Sequence, residues 1–485
     1  MRKSLVIALL LLLLSLGGIY AAHAGVNINK DEVVLDETIL YGDKATAEGL
    51  VIDIDTHCNN HLFWNTVYEL GIEPQINTDF RFSQKQEYQQ HERIYYGVEF
   101  GISDSGGFSA SAGIDLDNDS HFIGSYFYSM KDLYKDVASR TGAGQTHRES
   151  LYFKDYYDFY PLVASLDLPD YHWDMRQEIG ERDQAQDDGS EPSIQAIRDY
   201  FRIPVLDDHR LEVSIAKNDE GLITEIDTSP IGDSGVSLWT TSLVTDDACY
   251  FTFNNQAQNG ELLDLSLIPD GYGLYRLPLT KAAEGEKNSR ISLEQMEMVY
   301  ALDPQVHITE LKLTEDESKL LLMTREDEAY YLTTLNAVTA QELQKLKVID
   351  CDEDVYLWSF YSDRFIVGFV SDGRLTVIEA TDSGEYREVF TVDTPASDAI
   401  GMPRTSNAAM SWDGERLAVA EPQLEEDMNY GRYEKCGFNL SVYDESGLLY
   451  AGKYDSSLDI NRSLDYSYRC RPLDLNPIYL RWPEK

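Results

Sequence analysis

Residues 365–378, FIVGFVSDGRLTVI, contain two apolar runs separated by a short polar turn. Apolar, β-branched runs that end at Asp-Gly are typical of the two strands of a hairpin. The same order, a polar turn and then an apolar strand, occurs at residues 315–323, EDESKLLLM, and at residues 411–420, SWDGERLAVA. These stretches predict antiparallel β-structure built from a recurring unit.

The spacing of the units indicates the architecture. The strand starts Leu320, Phe365 and Leu417 lie 45 and 52 residues apart, close to the roughly 40 to 50 residues of one four-stranded propeller blade. A looser copy includes residues 245–251 and 273–277. We therefore expect an all-β fold, a β-propeller of about seven or eight four-stranded blades, with loop insertions and few short helices.

Two strings carry a resemblance to a known family. SWDGERLAV (residues 411–419) and LSVYDESG (residues 440–447) resemble the WD-repeat-like β-propellers of exported bacterial proteins, whose function is uncharacterised. The resemblance covers about half of the chain and its motifs are degenerate. It implies the fold and brings no functional residue with it, because one fold hosts many functions.

The first half of the chain has the same strand-and-turn texture with less regular spacing. We interpret residues 25–485 as one propeller-like domain, in which residues 25–229 are divergent and residues 230–485 hold the clearest repeats. Within it, residues 177–191 are expected to form a solvated inserted loop, with a domain boundary as the alternative. Further strands are expected at residues 49–55, 61–68, 94–102, 211–215 and 221–226, and short helices at residues 193–201 and 339–347, the second opened by a Thr339–Glu342 capping box.

Residues 1–24 have the order of a secretory signal. Arg2 and Lys3 precede an apolar run over residues 5–20, and Ala22-His23-Ala24 forms an A-x-A cleavage triplet. The segment is a signal peptide or an N-terminal signal anchor, and cleavage is favoured because the run only just reaches bilayer length. The body is expected outside the cytoplasm in either case, touching the membrane only through this segment if it stays uncleaved.

The charge of the chain restricts its partners. With 85 acidic and 40 basic residues, the formal net charge is −45. Such a surface repels nucleic acid and anionic lipid. Solubility and a site for cations or basic partners both account for this charge.

The five cysteines are too few for a disulfide scaffold and are odd in number. Cys436 and Cys470 are the expected pair because both fall in the last repeat. At least one cysteine remains unpaired within the chain.

We expect no cofactor, and a calcium loop is an alternative that one acidic stretch suggests. Asp115, Asp117 and Asp119 place carboxylates at alternate positions, as oxygen-rich cation sites require. The match then fails, since Ser120 replaces the glycine at the sixth position and Tyr126 the glutamate at the twelfth. These residues remain weak candidates, and a solvated acidic turn is the alternative.

Two further strings suggest chemistry only weakly. His57, Cys58 and His61 have the right side chains for a transition metal, but their hairpin spacing does not make a site. GDSG at residues 232–235, together with His57, suggests a serine protease, with a second near-match at residues 103–107. The flanking residues depart from that pattern, so Ser234 is interpreted as a turn residue.

Tyrosines beside acidic residues are the strongest binding candidates. Within YFKDYYDFY, residues 152–160, Tyr156, Tyr157 and Tyr160 combine aromatic faces with neighbouring carboxylates, which suits sugars or cationic groups. The alternative is that these tyrosines are ordinary structural residues with one apolar and one polar side.

Two functions follow as hypotheses. The favoured one is a binding or scaffold module at the cell envelope, whose partner is an unknown protein, peptide or glycan, because no catalytic constellation is visible. The alternative is a cell-envelope hydrolase whose acidic catalytic residues come from several blades. No catalytic residue can be named from the sequence.

Overall fold

The structure is a computed structural model of the whole chain. It describes residues 2–26, 30, 33–58, 62–71, 74–82, 97–116, 130–167, 191–245, 247–257, 260–280, 290–291, 295–352, 356–362, 364–394, 408–423, 426–427, 432–433, 437–457 and 478–483.

The described part of the chain is mostly β-structure. Its α-helices are α1 (Arg2–Val26), α2 (Lys131–Arg140) and α3 (Glu191–Tyr200), and 3-10 turns occur at Lys44–Ala47 and Phe153–Asp155. The strands are β1 (Leu35–Gly42), β2 (Val51–Cys58), β3 (Leu62–Glu69), β4 (Gln75–Phe82), β5 (Gly97–Ser103), β6 (Gly106–Ile114), β7 (Thr146–Tyr152), β8 (Val163–Asp167), β9 (Arg210–Lys217), β10 (Ile223–Pro230), β11 (Ser237–Leu238), β12 (Thr240–Val244), β13 (Ala248–Phe253), β14 (Gly273–Thr280), β15 (Arg290–Ile291), β16 (Glu297–Ala301), β17 (His307–Leu313), β18 (Lys319–Glu326), β19 (Ala329–Asn336), β20 (Glu342–Asp350), β21 (Leu357–Tyr361), β22 (Phe365–Val370), β23 (Arg374–Ala380), β24 (Tyr386–Asp393), β25 (Ala409–Trp412), β26 (Leu417–Gln423), β27 (Glu426–Asp427), β28 (Arg432–Tyr433), β29 (Gly437–Asp444), β30 (Gly447–Ser456) and β31 (Ile478–Arg481). Among the described residues, no helix combines the length and the apolar character that crossing a bilayer requires.

The chain divides into two compact units. The first, called the terminal unit, comprises Met1–Gln89 and Cys351–Lys485, and the second, called the inserted unit, is Gln90–Asp350. The inserted unit therefore lies in sequence between the two parts of the terminal unit.

The sheets of the terminal unit are antiparallel throughout. One is the uninterrupted meander β21-β22-β23-β24, and a five-stranded sheet has the order β1-β30-β29-β26-β25. A third has the order β31-β2-β3-β4, so the last strand of the chain pairs with one of the first. A two-stranded ribbon, β27-β28, completes the set.

Among its described strands, the inserted unit likewise has only antiparallel pairings. Its sheets have the orders β17-β18-β19-β20, β6-β10-β9-β7 and β11-β5-β8, and a further sheet runs β12-β13-β14-β15 with β16 also paired to β14. The first of these is a second uninterrupted four-stranded meander. The prediction of a largely antiparallel β fold is confirmed, whereas a closed ring of blades remains a prediction.

Stretch 365–378 forms the hairpin that its sequence predicts. All six residues of β22 are buried, and the turn places Val370 opposite Arg374. Gly373 has φ +95°, a left-handed conformation that side-chain-bearing residues rarely adopt. The short apolar run and the Asp-Gly turn therefore suffice to specify this hairpin.

One helix prediction was right and one was wrong. Residues 193–201 fall almost entirely in α3, but residues 339–347 belong largely to strand β20. The Asn336 side chain accepts hydrogen bonds from the amides of Val338 and Thr339, and Ala340 has φ +53°, so these residues form a turn. Glu342 then accepts a hydrogen bond from the Tyr300 hydroxyl (2.5 Å) rather than closing a capping box.

The SWDGER segment, residues 411–416, contacts both the N-terminal and the C-terminal part of the terminal unit. Asp413 binds the Arg416 guanidinium (2.9 Å), and that guanidinium lies 4.3 Å from the Trp482 ring centroid. Arg416 Nη1 also donates to the Thr46 carbonyl (2.6 Å), and Trp482 Nε1 donates to the Ser411 carbonyl (3.1 Å). The segment that resembles a WD repeat therefore links the β25–β26 hairpin to the N-terminal part and the C-terminal part of the unit. These contacts of Arg416 and Trp482 are called the clasp below.

Candidate functional site in the inserted unit

The tyrosine segment, residues 152–160, follows β7 and is held at both ends by the chain around residues 203–209. Phe153 is fully buried and its amide donates to the His209 carbonyl (2.9 Å). Further along, the Tyr160 amide donates to the Ile203 carbonyl (2.9 Å). These bonds fix the backbone that carries the three candidate tyrosines.

Beneath the segment lies a buried polar cluster, the Asp-His-Tyr cluster, formed by Asp104, His209 and Tyr160. His209 Nδ1 lies 3.1 Å from the Tyr160 hydroxyl, and His209 Nε2 lies 3.0 Å from Asp104 Oδ2. The side chains of Asp104 and His209 are at most 1% exposed. Asp104 Oδ2 also accepts a hydrogen bond from the Val236 amide, and Tyr160 Oη accepts one from the Leu206 amide.

The Tyr160 hydroxyl connects the imidazole of His209 to the backbone of residue 206. Burial raises the pKa of Tyr160, so this hydroxyl stays protonated while it accepts from the Leu206 amide. Phe153 stacks on the imidazole with 4.9 Å between ring centroids, and the enclosed cluster therefore positions backbone rather than contacting a ligand.

Tyr156 joins the segment to helix α2 through an acid-and-arginine group. The half-buried Tyr156 hydroxyl donates to Asp136 Oδ2 (2.5 Å), and Arg140 Nη1 lies 2.9 Å from the same oxygen. Arg140 Nε also donates to Glu149 Oε1 (2.9 Å). The hydrogen bond from Tyr156 and the charge of Arg140 hold the pKa of Asp136 below its usual value.

Tyr157 and Tyr160 differ in what they can offer a ligand. Tyr157 is half-buried, its ring lies 5.3 Å from that of Phe153, and burial raises its pKa to about 12. Tyr160 is buried, so its ring face is not open to solvent. The structure thus brings all three candidates together but leaves only Tyr156 and Tyr157 with partly exposed rings, 6.5 Å apart.

The calcium candidates fall mostly outside the described residues. Asp115 is exposed just after β6, whereas Asp117 and Asp119 are not described. Within the described ranges, no group of three or more histidine, cysteine, aspartate or glutamate side chains is placed to hold a metal ion. The calcium loop therefore stays a weak prediction.

The other candidate strings are placed as follows. His57 and Cys58 lie in β2, with side chains that are not described, and His61, Cys436 and Cys470 lie outside the described residues. Ser234 Oγ donates to the Ile231 carbonyl (3.0 Å) and accepts from the Arg210 amide (3.3 Å). Ser234 is thus engaged by backbone, as expected of a turn residue.

The two cysteines whose side chains are described, Cys249 and Cys351, are both buried. Burial raises the pKa of Cys249 to about 12, so that thiol is protonated and unreactive at neutral pH.

A second polar cluster lies in the terminal unit. Glu37 Oε1 accepts hydrogen bonds from the hydroxyls of Tyr450 (2.8 Å) and Tyr454 (3.2 Å), and Glu37 Oε2 pairs with Lys44. The two hydroxyls lie 2.6 Å apart. Partial burial alone would raise the pKa of Glu37, but the bonds from Lys44 and the two tyrosines outweigh it, and the pKa is lowered.

This cluster gives a pH-dependent stability. Because the folded pKa of Glu37 is below the unfolded value of about 4.3, its ionised form stabilises the fold above that value, and the contribution is lost as the pH falls through the folded pKa. We expect Glu37→Gln to lower the melting temperature at pH 7 and to lower it less near pH 3. A gap between variant and wild type that stays constant over this range would contradict the assignment.

Comparisons with known proteins leave the family open. No protein-family model matches the chain, and no curated protein matches it. The β-propeller domain of Cps50 (Swd1) from Myceliophteria thermophila aligns at 10% identity over 54% of this chain and 93% of that chain, with a TM-score of 0.23. The periplasmic gluconolactonase PpgL of Pseudomonas aeruginosa aligns at 12% identity over 58% of this chain and 85% of that chain, also with a TM-score of 0.23. Similarity this low assigns neither a fold nor a function to the chain.

The Asp-His-Tyr cluster is the feature that sequence reasoning missed. Asp104 lies in SDSGG, residues 103–107, which the sequence analysis compared with a serine-protease motif without assigning a role to the aspartate. His209 follows two aspartates in a polar stretch and carries no spacing signal of its own. A buried histidine whose partners are about fifty and a hundred residues away leaves no local pattern to detect.

Proposed function

We propose that the protein is a β-propeller outside the cytoplasm that acts as a binding or scaffold module at the cell envelope. Two uninterrupted four-stranded meanders, β17–β20 and β21–β24, support the propeller. The pairing of β31 with β2 supports it further, because a propeller closes by combining strands from both chain ends in one blade. Blades of this kind give loops a stiff base.

The observation that favours binding over hydrolysis is the direction of the carboxyl pKa shifts. The pKa is lowered at five described carboxyl groups, Glu37, Asp136, Asp264, Asp316 and Asp413. A lowered pKa keeps a carboxylate charged, whereas a general acid that works near neutral pH needs a raised one. These groups are suited to accept hydrogen bonds rather than to donate protons.

The partner is a protein, peptide or glycan and not a nucleic acid, since the net charge of −45 repels polyanions. Residues 1–24 direct the body outward, either as a cleaved signal or as an anchor. Protease added to intact cells should therefore digest the body of the protein. Protection until the cells are lysed would contradict this location.

A thermal-shift screen of residues 25–485 tests the function. Binding to the native state raises the melting temperature by mass action. We expect one class among neutral oligosaccharides, cell-wall glycans, basic peptides and divalent cations to raise it by several degrees without being consumed. Turnover of the compound that binds would favour the hydrolase instead, and no shift with any class would contradict a small-ligand site.

A further inference from the structure

One sheet of the inserted unit, β6-β10-β9-β7, is packed on one side only. In β7, exposed and half-buried residues alternate along the whole strand, and β9 and β10 bury only alternate residues. By contrast, all six residues are buried in β13 and in β22, which belong to other sheets. Since successive side chains of a strand point to opposite sides, one face of this sheet is left open to solvent.

Helix α2 covers the packed side. Thr228 of β10 is buried there, and its hydroxyl donates to the Tyr134 hydroxyl of α2 (3.2 Å). Leu211 and Val213 of β9 are fully buried on the same side. The residues that alternate with these three therefore face away from the helix.

The strand register defines the other side, called the open face below. It consists of two rows of directly opposed residues, Gly107-Asp227-Ser214 and Ser109-Glu225-Ala216. Four of the six side chains are those of glycine, alanine or serine, so the face is low and flat. Glycine, alanine and aspartate are also types that strands usually avoid. A departure from local strand preference is expected where a surface has a function.

Two free carboxylates lie in the middle of the open face. Asp227 and Glu225 are exposed, and among the described residues neither makes a hydrogen bond or an ion pair with its side chain. A Cβ added at Gly107 would lie 3.1 Å from Asp227 Oδ1, so the missing side chain leaves room for this carboxylate. The neighbouring cation, Arg148, pairs instead with Glu212 (3.3 Å). Both free charges are therefore available to a partner.

We propose that the open face binds a short basic peptide in an extended conformation. Asp227 and Glu225 are two residues apart on β10, a spacing of about 7 Å, which equals that of alternate side chains in an extended peptide. Lysine or arginine at alternate positions can therefore reach both carboxylates. The small neighbouring side chains let such a peptide lie close to the sheet. This inference rests on the proposed binding function and names its partner class and its face.

The size and the charge of the chain select this partner. Four strands about 4.8 Å apart and the seven residues of β7 cover about 14 by 20 Å. A stable protein interface buries roughly 800 Å² on each partner, so the open face is too small for one. A second copy of the chain is disfavoured because both copies carry a net charge of −45. An extended peptide of six residues, about 20 Å long, fits along β10.

Fluorescence anisotropy at low ionic strength tests the open face. The probe is a labelled hexapeptide in which lysine and threonine alternate, and the comparison peptide has three lysines followed by three threonines. We expect residues 25–485 to bind the alternating peptide several-fold more tightly, because consecutive lysines point to both sides of an extended chain. Asp227→Asn and Glu225→Gln should each weaken this binding about threefold, and together about tenfold.

Glu328→Gln is the matched control, since Glu328 is exposed in the β18–β19 turn and the change removes the same charge from another sheet. It should leave the affinity unchanged, and unaltered melting temperatures should show that the variants fold. Equal binding of the two peptides, or full affinity in the double variant, would overturn the open-face proposal. A rise in melting temperature with calcium that needs Asp227, without peptide binding, would overturn it as well. If another class of compound still raises the melting temperature, the binding function stands and only the open face fails.

Discussion

His209→Ala is expected to lower the free energy of unfolding of the inserted unit by about 3–5 kcal/mol. The change removes the ring that stacks on Phe153. It also leaves the buried Asp104 carboxyl group with the Val236 amide as its hydrogen-bond donor but without the histidine beside it. Burying a charge without its partner costs more than the pair contributes. Hydrogen exchange of the full chain, measured on peptides from β9, reports the loss element by element.

A partly exposed histidine supplies the control. His147 Nε2 lies 3.6 Å from Glu149 Oε2, and the two side chains are 37% and 25% exposed, so His147→Ala should cost less than about 1 kcal/mol. Adding Asp104→Asn to His209→Ala should recover part of the loss, because the amide leaves no stranded charge. A cost at His209 as small as that at His147 would refute the role of the cluster.

Trp482→Ala should destabilise the terminal unit by about 3–5 kcal/mol, the usual cost of deleting a buried indole. Trp482 is 9% exposed and packs in the core beneath β31. Its loss also removes the stacking of Arg416 and the hydrogen bond to Ser411. Urea unfolding followed by circular dichroism measures the change.

Trp239→Ala serves for comparison, because Trp239 is 49% exposed and loss of an exposed indole should cost less than about 1 kcal/mol. Arg416→Lys tests the clasp separately, since lysine keeps the charge but not the planar guanidinium. It should cost less than Trp482→Ala and more than Trp239→Ala. Equal effects at Trp482 and Trp239 would show that the clasp does not stabilise the chain ends.

The strands could be predicted from sequence where a short apolar run meets a turn signal. Residues 365–378 and 411–420 contain both, and they form hairpins. β20 was mistaken for a helix because ELQKLK has good helix formers, and its pairing with β19 overrides that local preference. Helix α2 was missed, although Leu133, Tyr134, Val137 and Ala138 form its buried face.

The candidate site was predictable only in part. The tyrosine segment is visible in sequence because its aromatic residues are adjacent, and the structure brings them together. Which of them reach solvent depends on contacts with Asp136 in α2 and with His209, which lie about twenty and fifty residues away.

The pairing of β31 with β2 has a consequence for the timing of synthesis. The ribosome makes residues 478–481 after β2 and after the whole inserted unit, so the sheet that they join stays open until then. The described strands of the inserted unit pair only with one another and need no later segment. A nascent chain that stops before residue 478 therefore leaves β2 with a free edge, which chaperones and proteases recognise.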